Sequence, residues 1–279
     1  MKERTVSNPA RLVGKHVTKY CLDRGHYVVK IDLPNTKGEE QPNSEFHAIN
    51  VATDYAGLKK AFEGCDAIIH LAAIPSPGGQ NSDALVYATN SNASFNALHA
   101  AGTLGIKKVC QASSVNALGL VYSQRPLVFD SFPIKEDDKP RISDAYALSK
   151  QVCEVQAEAF VYWFPGMTIA SMRFHHVNPR KVCRKRLDAD PDVGIRELWC
   201  WVSPEATARA CFMAIDGDRF TGHEAFNVVA PTIIDENASS VDLAQKYYPD
   251  TKLNLQGNQG FWSIEKAKRI LGWDHPETS

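Results

Sequence analysis

The sequence predicts an α/β protein built on a doubly wound parallel sheet, and three observations point to this fold class. Short apolar runs rich in Val and Ile, such as residues 27–32 and 66–71, recur along the chain. Longer segments with helical period separate them, which is typical of β-α-β units whose strands are buried on both faces. Polar residues follow several of the runs, and the carboxyl ends of strands are where such sheets bind ligands.

The order of these segments predicts the elements of the first half of the chain. Gly25 closes the first helix as a C-cap, and Asp54 is the expected N-cap of the second. The first predicted strand ends at residue 6, and the next three cover 27–32, 66–71 and 107–112. The predicted helices cover 12–24, 55–63 and 83–102. The last of these strands delivers Ser113 and Ser114 to the ligand-binding edge of the sheet.

The second half begins with a polar, proline-interrupted stretch at residues 119–143, which predicts a loop over that edge. A helix that carries Tyr146 and Lys150 and ends near Trp163 should follow. The basic run 180–186 has no strong period, so we expect a loop there, at the start of a smaller region. The remaining predicted elements are strands at 167–173 and 225–229 and helices at 204–215, 240–247 and 263–271.

Composition and charge restrict the class of protein. With 279 residues, 44% hydrophobic and 23% charged, the chain can bury one large core or two smaller ones, which excludes disordered and fibrous classes. The net charge of -1 provides no positive field to hold DNA or RNA, so we expect no nucleic-acid partner. No apolar run approaches the roughly 18 residues of a membrane span, and the start MKERTVSN is too polar for a signal peptide. We therefore expect a cytoplasmic protein without membrane contact.

The seven cysteines are scattered along the chain and include no Cys-x-x-Cys pair. An odd number of isolated cysteines favours reduced thiols over a disulfide framework or a zinc site. We therefore expect a reducing compartment and no metal centre.

Tyr146 and Lys150 are the first candidates for chemistry. Residues four apart on a helix share a face, so the phenol and the ammonium group should project into the same space. A free phenol has a pKa of ~10, and a nearby positive charge favours its phenolate, which makes Tyr146 a candidate acid and base. A serine hydroxyl brought alongside, from Ser113 or Ser114, would hold the substrate oxygen that gains or loses the proton. The alternative is a surface Tyr and Lys on an amphipathic helix.

Five segments, in order along the chain, resemble the motifs of one enzyme family. Residues 64–73 resemble GxDxVxHLAA, 90–96 resemble NxxGTxN, 112–114 resemble the catalytic serine segment, Tyr146-x-x-x-Lys150 resembles YxxxK, and 263–273 resemble KAxxxLGW. The family is the extended short-chain dehydrogenase/reductase superfamily, and in particular its NAD-dependent epimerase/dehydratase branch. The resemblance covers nearly the whole chain.

This resemblance implies a Rossmann-type doubly wound parallel sheet that binds NAD at the strand ends, with a small α/β C-terminal substrate region. Residues 1–179 would form the dinucleotide-binding domain, and residues 180–279 the substrate-binding region, packed with it as one unit. Leu71, which ends the third predicted strand, and the two residues after it, Ala72 and Ala73, would contact the cofactor.

The resemblance also implies roles for the polar residues. Ser114 would hold the substrate oxygen, and Tyr146 would act as acid and base. Lys150 would tune Tyr146 and bond the nicotinamide ribose, and Asn90 would complete a proton relay. The same superfamily often pairs its long helices in a homodimer, which is the expectation here.

Asp32 has an argument of its own. A carboxylate that ends the second strand can bond the diol of an adenosine ribose and would repel a 2′-phosphate. NAD is therefore expected rather than NADP. The alternative is a turn residue before Leu33-Pro34.

The phosphate loop departs from the family pattern. The family has GxxGxxG after the first strand, and the gapless register puts Asn8, Arg11 and Gly14 at those places. Asn tolerates positive φ, so Asn8 could keep the tight turn. Arg11 replaces the glycine that lets backbone approach the pyrophosphate, and it would either pair with a phosphate or close the site. If Arg11 blocks the phosphate site, the protein binds no cofactor.

Other polar residues are candidates for contact with a small-molecule substrate. Ser113 adjoins Ser114, and His175 and His176 follow a predicted strand on the ligand side; a structural role for both histidines is the alternative. The basic run 180–186 could bind an acidic or phosphorylated substrate, or be a solvated loop.

Three functions follow from these residues. The first is an NAD-dependent oxidoreductase or epimerase that acts on a secondary alcohol or ketone of a small sugar-, polyol- or acid-like substrate, as uronate dehydrogenases of similar length do. The second keeps the fold but loses NAD, which gives a cofactor-independent isomerase, cyclase or lyase. The third is a non-catalytic ligand-binding relative.

Overall fold

The computed structural model describes residues 4–7, 12–39 and 41–276 of the chain. Asn8 and Arg11, two of the residues expected to form the phosphate loop, lie outside the described residues. The third position of that pattern, Gly14, is described and is buried near the start of the first helix.

Seven parallel strands form one sheet with the order β3-β2-β1-β4-β5-β7-β8, and β6 and β9 form a second, two-stranded sheet. The strands are β1 (Arg4–Ser7), β2 (Tyr27–Asp32), β3 (Ser44–Ala48), β4 (Ala67–His70), β5 (Lys108–Ser114), β6 (Ser131–Phe132), β7 (Thr168–Phe174), β8 (Gly222–Val228) and β9 (Lys252–Leu253). The strand order, with its reversal at β1, confirms the predicted Rossmann-type doubly wound sheet.

Helices cover both faces of the main sheet. They are α1 (Leu12–Leu22), α2 (Tyr55–Phe62), α3 (Asp83–Thr103), α4 (Ala145–Trp163), α5 (Arg180–Ala189), α6 (Pro191–Glu197), α7 (Pro204–Ile215), α8 (Ser240–Tyr247) and α9 (Glu265–Leu271). Helices α1 and α7 pack on one face, and α2, α3 and α4 pack on the other.

Alternate strand residues supply the two cores. Val28 and Cys110 belong to the core under α1 and α7, whereas their neighbours Val29 and Val109 belong to the core under α2, α3 and α4. All four are at most 1% exposed. Because successive side chains of a strand point to opposite faces, a strand covered by helices on both sides has to be apolar throughout.

The main sheet continues beyond the predicted first domain. Strand β8 pairs with β7 along its whole length, from Thr168 opposite Gly222 to Phe174 opposite Val228. The division of the chain at residue 179 stays a prediction about which part would bind substrate.

The loop expected at residues 180–186 is wrong, because this run forms the first turns of α5. Cys183 and Leu187 lie four residues apart and pack into a small cluster with Trp201 and Ile234. Apart from this narrow apolar stripe the helix is mostly charged, so the run gave too little apolar signal to predict a helix.

The arginines of α5 are paired with carboxylates rather than free. Arg180 bonds Glu236, and Arg184 donates to Asp188 at 2.9 Å.

Strand β3 and the small sheet were not predicted either. Strand β3 is an edge strand with half-exposed side chains, so it lacks the apolar run that marks the central strands.

A buried ion pair ties α4 to the sheet. Arg173, on β7, donates to both carboxylate oxygens of Glu154, on α4, at 2.9 and 2.7 Å. The two side chains are 6% and 4% exposed. Ser113 donates to the same carboxylate, and Arg173 also donates to the Glu136 carbonyl oxygen at 2.8 Å. These extra bonds satisfy the buried charges, which an isolated pair would not do.

We expect Glu154→Ala to lower the free energy of unfolding by about 3–5 kcal/mol, because Arg173 would keep a buried charge without its carboxylate. Urea unfolding followed by circular dichroism measures this loss. Glu158→Ala, one turn further along α4 with a side chain 71% exposed, is the matched control. It should change the free energy by less than about 0.5 kcal/mol. Equal losses in both variants would contradict the role given to the ion pair.

Candidate active site

A cavity of about 310 Å³ opens at the carboxyl ends of β4, β5 and β7, and the first turns of α1 and α4 also line it. Parallel strands end at the same edge of a sheet, which brings segments far apart in sequence to one place. Gly14, Ser114, Tyr146 and Lys150 are among the predicted site residues that line this cavity together.

Helix α4 carries two of these residues into the cavity. Asp144 is its N-cap and accepts a hydrogen bond from the Ala147 amide at 2.8 Å. Tyr146 and Lys150 are 7% and 3% exposed. The Lys150 ammonium donates to the Ala112 carbonyl oxygen at 2.7 Å and lies 5.8 Å from the centroid of the Tyr146 ring. Tyr146 and Lys150 therefore share one buried face.

The surroundings of Lys150 shift its pKa in opposite directions. Burial lowers the pKa of Lys150, whereas the nearby Cys153 and Glu154 raise it. A buried ammonium is costly unless it is hydrogen-bonded, and the Ala112 carbonyl oxygen provides one such bond.

Ser114 lies at the end of β5, facing the cavity. Its Oγ accepts hydrogen bonds from the backbone amide of Asn116 at 3.1 Å and from the Asn116 side-chain amide at 3.3 Å. Asn116 is held in turn, because its Oδ1 accepts from the Val121 amide at 2.8 Å. With both lone pairs of the Ser114 oxygen engaged, its hydrogen is the part that can bond an oxygen in the cavity.

Ser113 and Asn90 are placed differently from Ser114. The backbone of Ser113 adjoins the cavity, but its hydroxyl bonds the buried Glu154. Asn90 is not among the cavity's described lining residues. Its side chain accepts from the Ile74 amide at 2.7 Å and donates to the Ile74 carbonyl and to Ser149 at 3.1 and 3.0 Å. Asn90 thus joins the loop after β4 to the first turns of α4.

His175 and His176 follow β7 and both line the cavity. The Nδ1 atom of His175 accepts from the His176 amide at 2.7 Å, and the ring also bonds the backbone of Glu197. Burial lowers the pKa of His175 to about 3. The His176 ring lies 3.0 Å from the Asn178 side-chain amide and 3.2 Å from Arg186. Since a guanidinium can only donate, the Nδ1 atom of His176 accepts.

The wall of the cavity includes residues that the sequence analysis did not select. Tyr122 packs edge-on against Tyr146, with ring centroids 5.8 Å apart. Burial raises the pKa of Tyr122 to about 12, and Tyr146 and Glu197 act in the same direction. Arg186 donates to both carboxylate oxygens of Glu197 at 2.6 Å. The basic run was the signal for Arg186, but no motif marks Tyr122 or Glu197.

A second, smaller cavity of about 90 Å³ lies beside the first, at the ends of β2 and β4. Asp32 lines it, and its carboxylate accepts from the Leu33 amide at 2.8 Å. Ala72 and Ala73 also line it, and Ala73 belongs to both cavities. Leu71 lines the larger one.

These residues fit a dinucleotide that spans both cavities. A carboxylate at the end of β2 suits a ribose diol, and the small side chains of Ala72 and Ala73 leave space at the end of β4. Gly14 brings the N-terminal turn of α1 close without a Cβ. The described residues of the site therefore agree with an NAD-type cofactor.

Comparison with known proteins adds to this geometry. The family model of the NAD dependent epimerase/dehydratase family matches residues 10–186. GDP-mannose 3,5-epimerase 1 from Oryza sativa subsp. japonica is 25% identical over 179 residues, which are 62% of this chain and 46% of the relative. The chain thus spans about half the length of such relatives. L-arabinose 1-dehydrogenase (NAD(P)(+)) from Haloferax volcanii is 26% identical over 234 residues, which are 81% of this chain and 87% of the relative.

Solved structures share the fold at lower identity. A short-chain dehydrogenase/reductase superfamily protein from Agrobacterium tumefaciens, with bound NAD, superposes with a TM-score of 0.72 at 18% identity. The match covers 99% of this chain and 93% of that one. Within the described residues, no helix combines the length and apolar character that a membrane crossing needs. The seven cysteines are buried and form no disulfide with one another.

We expect the free energy of unfolding to decrease as the pH is lowered below about 6.5, in part because of His175. The unfolded chain binds a proton at this ring near pH ~6.5, whereas in the folded protein burial delays protonation to about 3. Unfolding therefore takes up a proton between these values, and the free energy of unfolding drops by up to ~1.4 kcal/mol per pH unit.

The measurement is the pH slope of the unfolding free energy in His175→Gln, which should be shallower than in the wild type between about pH 6 and 4. His47→Gln, which removes a histidine whose side chain is 38% exposed, is the variant for comparison. An unaltered slope in His175→Gln would contradict the prediction.

Proposed function

Because the chain belongs to the NAD-dependent epimerase/dehydratase family, we propose that it is an NAD-dependent oxidoreductase or epimerase of a small sugar-like substrate. The reacting group is a secondary alcohol or ketone. The observation that carries this proposal is the convergence of Ser114, Tyr146 and Lys150 on one cavity of about 310 Å³ at the strand ends. This volume is at the lower end of the range of ligand sites, roughly 300–1,000 Å³, and one half of the cofactor would share it, which favours a small substrate.

The proton chemistry of the proposal uses three side chains. Ser114 donates its hydrogen to the substrate oxygen and holds it beside Tyr146. In oxidation the phenolate of Tyr146 takes the proton from that oxygen and becomes the phenol, and in reduction the phenol returns the proton. The charge of Lys150 stabilises the phenolate. General acid and base catalysis of this kind contributes about 10²- to 10⁴-fold to a rate.

The cofactor of the proposal is NAD, held by residues of both cavities. Asp32 would bond the adenosine ribose and disfavour a 2′-phosphate, Leu71, Ala72 and Ala73 would line the path along the strand ends, and Lys150 would bond the second ribose. Bound NAD supplies the redox partner that a secondary alcohol or ketone needs. Asn90 acts in the proposal by holding the loop after β4 against α4.

His175 and His176 have different roles in this proposal. His176 is half-buried on the cavity wall and contacts substrate, oriented by Asn178 and Arg186. His175 is 6% exposed and holds the turn after β7. Ser113 contributes its backbone to the substrate pocket, because its hydroxyl bonds Glu154.

The proposal also includes a homodimer through α3 and α4. Leu148, Val155 and Tyr162 recur every seven residues on α4, and their side chains are 44%, 53% and 90% exposed. Leu85 and Phe95 on the adjacent α3 are 48% and 39% exposed. Apolar residues at heptad spacing on α4, beside exposed apolar residues of the adjacent α3, are suited to pack against the same helices of a second copy.

We expect Tyr146→Phe to reduce NAD-dependent turnover of a free sugar by about 10²- to 10⁴-fold, because it removes the acid and base but keeps the ring. Binding of NADH, measured by its fluorescence, should be unchanged, and NADH should bind more tightly than NADPH. Tyr20→Phe is the control. The Tyr20 ring, on α1, packs against Arg24 and lies outside both cavities.

Other outcomes would select the alternatives. Absence of saturable NADH binding, with turnover that survives removal of all nucleotide and is lost in Tyr146→Phe, would select a cofactor-independent isomerase, cyclase or lyase. A biological activity untouched by both Tyr146→Phe and Lys150→Ala would select a non-catalytic relative.

We expect Val155→Glu to convert a homodimer into a monomer, because it places a charge in the apolar stripe of α4. Sedimentation equilibrium at micromolar concentration measures the mass. Val182→Glu is the matched control: Val182 is 47% exposed on α5, away from the stripe, and its variant should remain dimeric. A monomeric wild-type protein would contradict the proposed dimer.

A further inference from the structure

Glu197 gives the substrate cavity a carboxylate on its wall. It is the last residue of α6, it lines the cavity, and it is 7% exposed. Arg186 donates to both of its oxygens at 2.6 Å, and Arg186 itself is not among the described lining residues. The carboxylate therefore faces the cavity, and the guanidinium that stabilises its charge lies behind it.

The backbone that follows Glu197 adopts a costly conformation. Leu198 and Trp199 both have positive φ, 53° and 50°. Side chains disfavour this region, and such residues persist where the surroundings enforce them, often at binding sites. Here Trp199 packs against Gly194, where any Cβ would lie 2.2 Å from the indole nitrogen. Glu197 is thus set rigidly at the end of α6.

The other described groups of the wall are neutral or already engaged. Lys150 is the one cation among the described lining residues, and it donates to the Ala112 carbonyl oxygen. The ring of His176 is a neutral acceptor towards Arg186. Burial keeps Tyr122 protonated at neutral pH. Among the described lining residues, the cavity therefore presents an acceptor-only carboxylate and, apart from Lys150, no cation.

Such a wall distinguishes between classes of sugar. An ionised carboxylate can only accept hydrogen bonds, so it bonds a hydroxyl but not a second carboxylate. Two carboxylates brought together in a buried site also repel each other. A neutral sugar offers hydroxyls on every side, whereas a sugar acid offers one group that this wall rejects.

We propose that Glu197 selects a neutral polyhydroxylated sugar, an aldose in its ring form, by accepting a hydrogen bond from one of its hydroxyls, and that it excludes sugar acids. This inference rests on the proposed function and adds the substrate class to it. Glu197 is a binding residue here, and the proton transfer remains with Tyr146.

The test compares matched pairs of free sugars in the NAD-dependent assay: D-galactose with D-galacturonate, and D-glucose with D-glucuronate, with L-arabinose as a further neutral sugar. We expect the wild type to use a neutral sugar with a kcat/KM at least about tenfold above that for its acid. Glu197→Gln keeps the shape and removes the charge. It should lower kcat/KM for the neutral sugar about tenfold and raise the ratio of acid to neutral sugar.

Glu236→Gln is the control variant. It also removes a carboxylate that pairs with an arginine of α5, but Glu236 is 68% exposed and does not line the cavity. Its kcat/KM values should equal those of the wild type. Circular dichroism shows whether each variant is folded. If Glu197→Gln does not fold, the selectivity of the wild type still decides the question.

The outcomes separate this inference from the proposed function. If the wild type prefers an acid and loses that activity in Tyr146→Phe, the proposed function stands and the inference is overturned. If no sugar is turned over, the proposed function fails, and equilibrium binding of the same pairs decides about Glu197. Tighter binding of the neutral sugar, lost in Glu197→Gln, then supports it, and equal or tighter binding of the acid, or no binding, overturns it.

Discussion

The burial of Lys150 is the constraint on which the site depends. A buried ammonium must be hydrogen-bonded, and the acceptor is the Ala112 carbonyl oxygen at the end of β5, 2.7 Å away. One turn further along α4, Glu154 bonds Arg173 on β7 and Ser113 on β5. These contacts attach α4 to two neighbouring strands, so that Tyr146 faces the cavity while the charges beneath it are satisfied.

The same architecture explains why the two cavities adjoin. All seven strands of the main sheet are parallel, so the segments after β2, β4, β5 and β7 reach one edge. Ala73 lines both cavities, and Asp32 and Ser114 lie on opposite sides of it. A ligand with two halves matches this arrangement, as NAD does in the family to which the chain belongs.

One part of the cavity wall comes from the chain beyond β7. There α5 and α6 bring Arg186 and Glu197 together although both helices are rich in charged residues. This part of the site would give the protein its choice of substrate, whereas the part on β5 and α4 would give it the reaction. The two parts have different sequence signals because one depends on a motif and the other on packing.

The sequence by itself determined the sheet except for its edge strand β3, the helices α1 to α4 and α7 that cover it, and the pairing of Tyr146 with Lys150. These features are local, since apolar period defines a strand or helix and a separation of four residues defines a shared face. Only the tertiary structure decided which way each neighbouring side chain turns: Ser114 to the cavity, but Ser113 to Glu154. It also decided the pairing of Glu197 with Arg186, because that contact joins two helices whose packing no local pattern encodes.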